Sequence, residues 1–441
     1  MPATRSAAGF ALVLAAVAAV SFGRVPDAFL HPVLGDEDGP DMFGFFYRRE
    51  GLELLLRSYR GYVILLPNLM GWAALAAPVR AAPHLLALGP LALASLGFAW
   101  LSRRTYRALL PSDALRWGGC LVLALAPLTG HRFLATTICA GWSGFLLLAL
   151  WSLAPPPRTG GAAAARLLGM SALAWSHPLS ALLVPAWLLL AIFPGLLAPG
   201  EGPRAALLAR LFYLELAAAA LLYQLAAVDH GALRALSLPV VLERTAGLTL
   251  ERVVFGAVFG DAAIRALRAA GRAELIAPAA LAVLAAAGLA LARARARIGP
   301  REAFALAFLA WGIAGAVAAS VLGRRVDLGF LATGQAPRLF WVPRLLFLVL
   351  LIQCAGLAAA ARRAAGARPA PALRAAGAAL LVAWLAALNL ANADAYRVSR
   401  EEGLAVRAFA AELARQEREL GGRAQVRAGL ERGFWSIAIQ P

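Results

Sequence analysis

The chain has 441 residues, of which 61% are apolar and only 15% are charged, and its mean hydropathy is +0.72. A water-soluble protein of this size could not bury so much apolar surface in its core, so the composition indicates an integral membrane protein. The net charge of +18 comes from short arginine clusters between apolar runs, and this pattern argues against a nucleic-acid partner.

Apolar runs that are long enough, or nearly so, to cross about 30 Å of hydrocarbon recur along the chain. They lie at 7–23, 61–78, 84–101, 117–130, 133–153, 167–197, 209–228, 274–292, 303–322, 341–361 and 375–391. The first is expected to be a retained span, and 167–197 can hold two helices if Ser176, His177 and Pro178 interrupt it. The sequence therefore predicts an all-α polytopic membrane protein with about 11–13 transmembrane helices.

The arginine clusters predict the orientation of the spans, because loops rich in arginine stay in the cytoplasm. The clusters lie at 103–116, 158–166, 204–210, 293–301 and 362–374. From residue 102 onward the alternation of inner and outer loops is consistent. However, an outer 24–60 loop followed by two full spans within 61–101 would place residue 102 outside. One of those two elements is therefore expected to be re-entrant, interfacial or not a span.

The predicted organisation is a polytopic transmembrane domain at 1–391 and a short outer tail at 392–441, with a polar helix near 401–420. The first outer loop, 24–60, and a second outer segment, 229–273, are too long to be simple turns. Within 42–60 the apolar residues recur at helical spacing, and the charged residues gather on another face. This pattern predicts an amphipathic helix on the membrane surface, and 229–273 is similar.

The first outer loop contains an acidic cluster, "GDEDGPDMF" at 35–43, in a chain with few acidic residues. The simplest interpretation is a solvated turn. The alternative is that a carboxylate acts there as a general base or as a ligand of Mg²⁺ or Mn²⁺. Asp41 is expected to cap the helix that follows. No cofactor is otherwise indicated, and the metal ligands are unknown.

In the order of these elements the chain resembles the GT-C superfamily of polytopic glycosyltransferases, which includes protein O-mannosyltransferases and lipid A aminoarabinose transferases. The matching features are Asp36-Glu37 in the first outer loop, "RGYVILLPNL" at 60–69, His177-Pro178 in a span rich in small residues, and "PRLFWVP" at 337–343. The outer turn "GHRFLATTICAGW" departs from the superfamily, since many members have an acidic residue there. This departure argues against a two-carboxylate or metal site on that turn.

The resemblance implies transfer of a sugar from a polyprenyl-phosphate donor to a glycan, lipid or protein acceptor of the cell envelope, on the outer side of the membrane. It implies that Asp36, Glu37 or Asp38 is the general base. Residues at predicted outer ends of spans would hold the donor phosphate, because cations suit a phosphate: His131, Arg132, His177, Arg338 and Arg344. Arg57, Arg60 and Tyr62 are expected to bind substrate.

Each of these residues also has a structural interpretation. An arginine at the end of a span commonly extends its side chain to lipid headgroups, and His177 could simply cap a helix. Trp117, Trp142, Trp175 and Trp341 are expected to form an aromatic belt at the membrane interfaces. Cys120, Cys139 and Cys354 are isolated in apolar stretches and are expected to be core residues.

Two other functions fit the same composition. One is a transporter or flippase of a lipid-linked or polar solute, although the chain shows no convincing internal repeat. The other is an O-antigen polymerase or ligase, which typically has its largest outer loop late in the chain. The abundance of alanine and arginine is typical of a GC-rich bacterial genome, so the expected location is the bacterial inner (plasma) membrane, with membrane lipids as partners.

Overall fold

The computed structural model describes residues 2–32, 34, 38–48, 51–59, 61–107, 109–127, 132–197, 199–200, 202–228, 237–323, 338–366, 371–391, 393 and 400–421. Within these ranges the chain is helical apart from one short β-hairpin and the connecting turns. The predicted all-α class is therefore confirmed.

The α-helices of the described ranges are numbered in chain order. They are α1 (Pro2–Arg24), α2 (Pro26–Leu30), α3 (Phe45–Arg48), α4 (Leu65–Ala76), α5 (Ala82–Ala99), α6 (Asp113–Leu125), α7 (Arg132–Ala135), α8 (Ala140–Ser152), α9 (Gly160–Ala174), α10 (Val184–Ile192), α11 (Pro203–Ala227), α12 (Leu238–Leu248), α13 (Gly256–Ala269), α14 (Ile276–Ala294), α15 (Pro300–Gly323), α16 (Arg338–Ala364), α17 (Pro371–Ala391) and α18 (Arg400–Glu419).

Shorter helical turns join or extend these helices. Two are π-helical, Asp38–Gly44 and Thr249–Phe255. The 3₁₀ turns are Leu52–Leu56, Trp100–Ser102, Arg104–Tyr106, Thr137–Cys139, Pro178–Leu183, Pro194–Leu196, Ala273–Leu275 and Arg295–Arg297. The hairpin pairs β1 (Ser58–Tyr59) with β2 (Tyr62–Val63).

Six helices in the described ranges are long and apolar enough to cross a membrane: Ala7–Arg24, Ala82–Ser102, Pro203–Ala227, Ala273–Arg297, Pro300–Leu322 and Leu339–Ala364. Four shorter apolar helices accompany them: Leu65–Ala76, Thr137–Ser152, Pro178–Ile192 and Ala376–Ala391. The protein is therefore a polytopic membrane protein. The 167–197 run is broken as expected, since α9 ends at Ala174 and the next helical turn begins at Pro178.

We call the end of the bundle that carries the arginine-rich loops the inner end, following the predicted orientation, and the opposite end the outer end. One of these arginines also has a structural role at the inner end. Arg166 on α9 donates hydrogen bonds to the carbonyl groups of Trp151, Ala154 and Pro155, at the carboxyl end of α8. These carbonyls lack helical partners, so the guanidinium stabilises the end of the helix. Since α8 ends and α9 begins at this inner end, the Trp175–His177 turn that follows α9 lies at the opposite, outer end.

Both α4 and α5 begin at this outer end. The Leu65 amide of α4 donates to the Trp175 carbonyl over 3.1 Å, and the Leu66 amide donates to the Ser176 hydroxyl over 2.9 Å. Near the start of α5, the Leu86 carbonyl accepts a hydrogen bond from the Thr137 hydroxyl over 2.9 Å. α4 therefore begins near the outer end, and the chain is at the outer end again where α5 begins.

The prediction of a span at 61–78 is consequently wrong. α4 has 12 residues, which corresponds to about 18 Å, well short of about 30 Å of hydrocarbon. Its apolar side chains are instead used in protein packing, because Ala74 and Leu75 join a core cluster with residues of the first outer loop and of α18. If α4 is not counted as a span, residue 102 lies at the inner end. This position agrees with the arginine residues that follow it in the chain.

The first outer loop does not form the single surface helix predicted for 42–60. It consists of the first π-helical turn, α3, the Leu52–Leu56 turn and the β-hairpin. Of the apolar positions that predicted a lipid-facing stripe, Met42, Phe46 and Tyr59 are at most 5% exposed, whereas Leu52 and Leu56 are 66% and 57% exposed. Met42, Phe46 and Tyr59 therefore pack against the rest of the protein, and the predicted surface stripe is wrong for these residues.

α18 closes this outer layer and confirms the helix predicted near 401–420. Its buried positions, Gly403, Val406, Ala410, Leu413 and Ala414, recur at helical spacing. The Tyr47 hydroxyl donates to the Glu417 carboxylate over 3.1 Å, and the Phe43 and Phe409 rings lie 6.0 Å apart. We call the first outer loop from Asp38 to Tyr59, α4 and α18 together the outer layer.

The second outer segment, 229–273, is only partly a surface element, and residues 229–236 lie outside the described ranges. α12 is largely exposed, whereas Arg252, Val253, Val254 and Phe255 of the second π-helical turn are buried. The middle of this segment therefore packs into the bundle, whereas residues 268–273 are exposed.

The outer position of both ends of α4 can be tested by labelling. Arg80, exposed in the turn between α4 and α5, changed to cysteine should react with a membrane-impermeant maleimide added to intact cells. Arg107→Cys, in an inner loop, is the matched control and should react only after the membrane is opened. The three native cysteines are buried and give little background. Labelling of both variants only in opened cells would show that α4 crosses the membrane.

Candidate functional site

The first outer loop is tied to the bundle by a buried carboxylate. Asp38 is 3% exposed, and both of its carboxylate oxygens lie 3.0 Å from the Thr137 amide nitrogen, which donates to them. Thr137 begins the helical segment that continues into α8, where backbone amides lack helical partners and the helix dipole favours negative charge. Asp38 therefore ties the described part of the first outer loop to the start of the helical segment that continues into α8.

The segment that receives Asp38 also contacts the start of α16. The ring of Phe133, on α7, lies 5.1 Å from the ring of Trp341, which is 1% exposed. Arg132 precedes Phe133 in the chain, and Arg338 lies one helical turn before Trp341. The two basic stretches predicted to hold a phosphate are thus close together, because residues next to Arg132 and Arg338 in the chain are in contact. The side chains of Arg132 and Arg338 lie outside the described part of the structure.

His177 occupies the turn after α9 and packs against the start of α8. The close approach requires a glycine, because a Cβ at Gly141 would lie 2.7 Å from the Ser176 carbonyl oxygen. The His177 ring is 5% exposed, and its centroid lies 4.2 Å from that of Trp142 and 6.4 Å from that of Tyr62. Trp341 is buried within the protein, so its predicted place in an aromatic belt was wrong, whereas Trp142 is only partly buried and its place in the belt stays a prediction.

The protonation state of His177 follows from its surroundings. Burial in this turn lowers the pKa of His177 to about 3, because the charged ring would lose its solvation. Its Nδ1 accepts a hydrogen bond from the Leu179 amide over 3.2 Å, which caps the Pro178–Leu183 turn. A neutral imidazole whose Nδ1 is an acceptor has its proton on Nε2. His177 therefore cannot supply the positive charge expected for a phosphate ligand.

The hairpin places Tyr62 at the same end. Gly61 has φ 91°, a conformation that glycine adopts without strain, and it allows the tight turn between β1 and β2. Tyr62 forms a bridge with Val228 at the end of α11, and its ring lies 6.5 Å from that of Tyr59. Arg57 stacks its guanidinium 3.7 Å from the centroid of Phe45. Arg60 lies outside the described residues.

Arg344 was expected to hold a phosphate, but its side chain is buried within the protein. It is 2% exposed, and its two terminal nitrogens donate to the Asp261 carboxylate over 2.6 and 2.8 Å. Its Nε donates to the Arg252 carbonyl over 2.5 Å. The whole guanidinium fork is thus used within the protein, so the predicted phosphate role is wrong for this structure. Arg344 instead anchors α16 to the second outer segment.

The remaining expectations fall on residues that the structure does not describe. Asp36, Glu37 and His131 lie outside the described ranges. Within those ranges, no group of three or more His, Cys, Asp or Glu side chains is arranged to hold a metal ion. The predicted role of Asp41 as a cap concerns a side chain that is likewise not described.

Sequence reasoning missed Asp261 and Thr137. Asp261 is an acidic residue within 252–268, where Arg252, Arg265 and Arg268 provide several basic neighbours, and such an isolated acid is a signal for a buried ion pair. Thr137 carries no comparable signal, because its backbone amide rather than its side chain holds Asp38.

Comparisons with models of known protein families, with curated proteins and with solved structures returned no match. The class that the fold defines is a polytopic, all-α membrane protein with an outer layer packed on one end of its bundle.

The anchoring role of Arg344 predicts a large loss of stability when it is removed. Arg344→Met leaves the buried Asp261 without its main partner and should lower the free energy of unfolding by about 3–5 kcal/mol. Thermal unfolding in detergent measures this change. Arg268→Met, which removes the more exposed pair with Glu251, is the control and should cost below about 1 kcal/mol. Equal losses in the two variants would contradict the anchoring role.

Proposed function

We propose that this protein is a glycosyltransferase of the GT-C type, which moves a sugar from a polyprenyl-phosphate donor to a cell-envelope acceptor at the outer face of a bacterial inner membrane. The acceptor is a glycan, lipid or protein of the envelope. No nucleic acid takes part.

The observation that carries this proposal is the convergence at the segment from Arg132 to Cys139. On one side this segment receives the acidic loop through Asp38, and on the other it contacts the start of α16 through Phe133. Sugar transfer from a lipid phosphate needs an acid–base group and a cationic phosphate site close to one another, at the membrane surface. The acidic and the basic stretches of this chain meet at one end of one bundle.

The outer layer suggests how the roles divide among the acids. Asp38 uses its carboxylate on the Thr137 amide and is a positioning residue. Asp36 and Glu37 directly precede it and match the acidic pair of the superfamily, so we assign the general base to this pair. A Mg²⁺ or Mn²⁺ ion would also suit their carboxylates.

The reaction follows from these roles. The base takes the proton of the acceptor hydroxyl, whose oxygen attacks the anomeric carbon of the sugar. The bond between that carbon and the phosphate oxygen breaks, and the polyprenyl phosphate leaves with the electron pair. Attack from the face opposite the phosphate inverts the anomeric centre. Arg132 and Arg338 neutralise the phosphate, and Arg57, Arg60 and Tyr62 are assigned to binding of the substrate.

A transporter is the second candidate, and the buried Asp261–Arg344 pair is the feature that favours it. Ionisable groups inside a membrane protein often mark a transport pathway. Here, however, Arg344 is bound by two side-chain and one main-chain interaction, which fits a fixed anchor better than a solute site.

Substitution of the acids tests the proposal. Asp36→Asn and Glu37→Gln are expected to leave thermal stability unchanged, and the variant that removes the base should lower kcat at least about 100-fold. The assay follows labelled sugar from polyprenyl-phosphate donors to envelope acceptors. Asp38→Asn is the contrast and should lower stability together with activity, because it weakens a charge-assisted hydrogen bond to Thr137. Full activity in all three variants would contradict a base in this loop.

A further inference from the structure

The His177 ring has one polar atom that the described part of the protein does not satisfy. Nδ1 is used by the Leu179 amide, whereas Nε2 is buried and has no hydrogen-bond partner among the described residues. Since Nδ1 accepts, Nε2 carries the proton and is a hydrogen-bond donor. A buried donor without a partner costs about 1–3 kcal/mol, so its presence in a folded protein points to a partner that the described residues do not supply.

The described rings nearest to this donor are aromatic and uncharged. The Trp142 ring lies 4.2 Å away, the Phe145 ring 6.2 Å away and the Tyr62 ring 6.4 Å away, as measured between centroids. Trp142 and Tyr62 are only partly buried, so the cluster reaches the surface of the described structure. Apolar and aromatic walls with few polar groups are typical of sites for small uncharged ligands.

A second polar group on the same turn is also unsatisfied. The Ser180 hydroxyl is fully buried and has no partner among the described residues, and the Ser180 amide donates to the His177 carbonyl over 3.1 Å. A hydroxyl can donate or accept. The turn from His177 to Ser180 therefore offers two hydrogen-bonding groups of neutral charge, which suit the oxygens of a sugar better than a phosphate.

We propose that the His177 Nε2–H donates a hydrogen bond to a hydroxyl or ring oxygen of the donor sugar, with Trp142 and Tyr62 as the walls of this sugar subsite. This inference rests on the proposed function. The sugar and the phosphate of the donor then occupy different parts of the site, because the phosphate is assigned to the basic stretches around Arg132 and Arg338.

Two variants separate the ligand contact from the cap. In His177→Asn the short amide oxygen can still accept from the Leu179 amide, since asparagine is a favoured cap, but the donor at the Nε2 position is lost. In His177→Gln the longer amide can place an N–H near that position. Thermal unfolding of both variants checks that the fold is kept.

The measurement is equilibrium binding of two probes to the purified full-length protein: a polyprenyl phosphate without sugar, and the same lipid linked to a hexose or pentose. His177→Asn should bind the bare lipid like the wild type and bind the sugar-linked lipid about tenfold more weakly. His177→Gln should recover part of that loss.

Three outcomes would overturn the inference. If His177→Asn binds both lipids equally more weakly than the wild type, His177 contacts the phosphate. If it binds both lipids like the wild type, the partner of Nε2 is water or another part of the chain. If the wild type binds neither lipid, the proposed function fails first and the sugar subsite fails with it. If the wild type binds the lipids tightly and His177→Asn binds them equally well, the sugar subsite is wrong but the proposed function is not contradicted.

Discussion

The hydrogen bond between the Asp38 carboxylate and the Thr137 amide is the interaction on which the outer end of the molecule depends. A buried carboxylate is costly unless it is hydrogen-bonded, and an amide at the start of a helical segment is among the best partners for it. Asp38 also begins the π-helical turn whose Phe43 packs against Phe409 of α18. Fixing this one residue therefore fixes the direction in which the first outer loop and the C-terminal helix lie on the bundle.

This constraint produces two hydrophobic cores with different roles. The larger one fills the bundle, whereas the smaller one joins the first outer loop, α4 and α18. The segment from Arg132 to Cys139 lies between them and reaches α16 through the Phe133–Trp341 contact. Arg344, six residues after the start of α16, binds Asp261 and holds that helix against the second outer segment. The acidic and basic stretches are thus positioned by elements that are themselves anchored.

Much of this architecture could be predicted from the sequence, because it depends on local composition. The helical class, the break at Ser176–Pro178 and the polar helix near 401–420 all follow from hydropathy and helix-breaking residues. The failures share one physical cause: a hydrophobic pattern does not distinguish lipid from protein as the partner. α4 and the stripe around Met42 and Phe46 were assigned to the membrane, although both pack inside the outer layer.

The candidate site was less predictable than the fold, because its contacts join residues far apart in the chain. Asp38 and Thr137 are 99 residues apart, and Asp261 and Arg344 are 83 residues apart. Arg344 has the residue type and location expected of a phosphate ligand, and only its partner shows that it is an anchor. The His177 ring lies at the end of the bundle where it was predicted. Burial lowers its pKa, so the ring is a neutral hydrogen-bond donor and not a cation.

The proposed transferase would carry out its chemistry at the outer end of the bundle, whereas a transporter would pass a solute through it. The most direct measurement uses sealed vesicles with the protein in one orientation and a labelled polyprenyl-phosphate sugar and envelope acceptor at its outer face. For a transferase, we expect the labelled sugar to become covalently attached to the outer acceptor and polyprenyl phosphate to be released. Accumulation of intact labelled donor or solute at the opposite side, without any modified acceptor, would contradict a transferase.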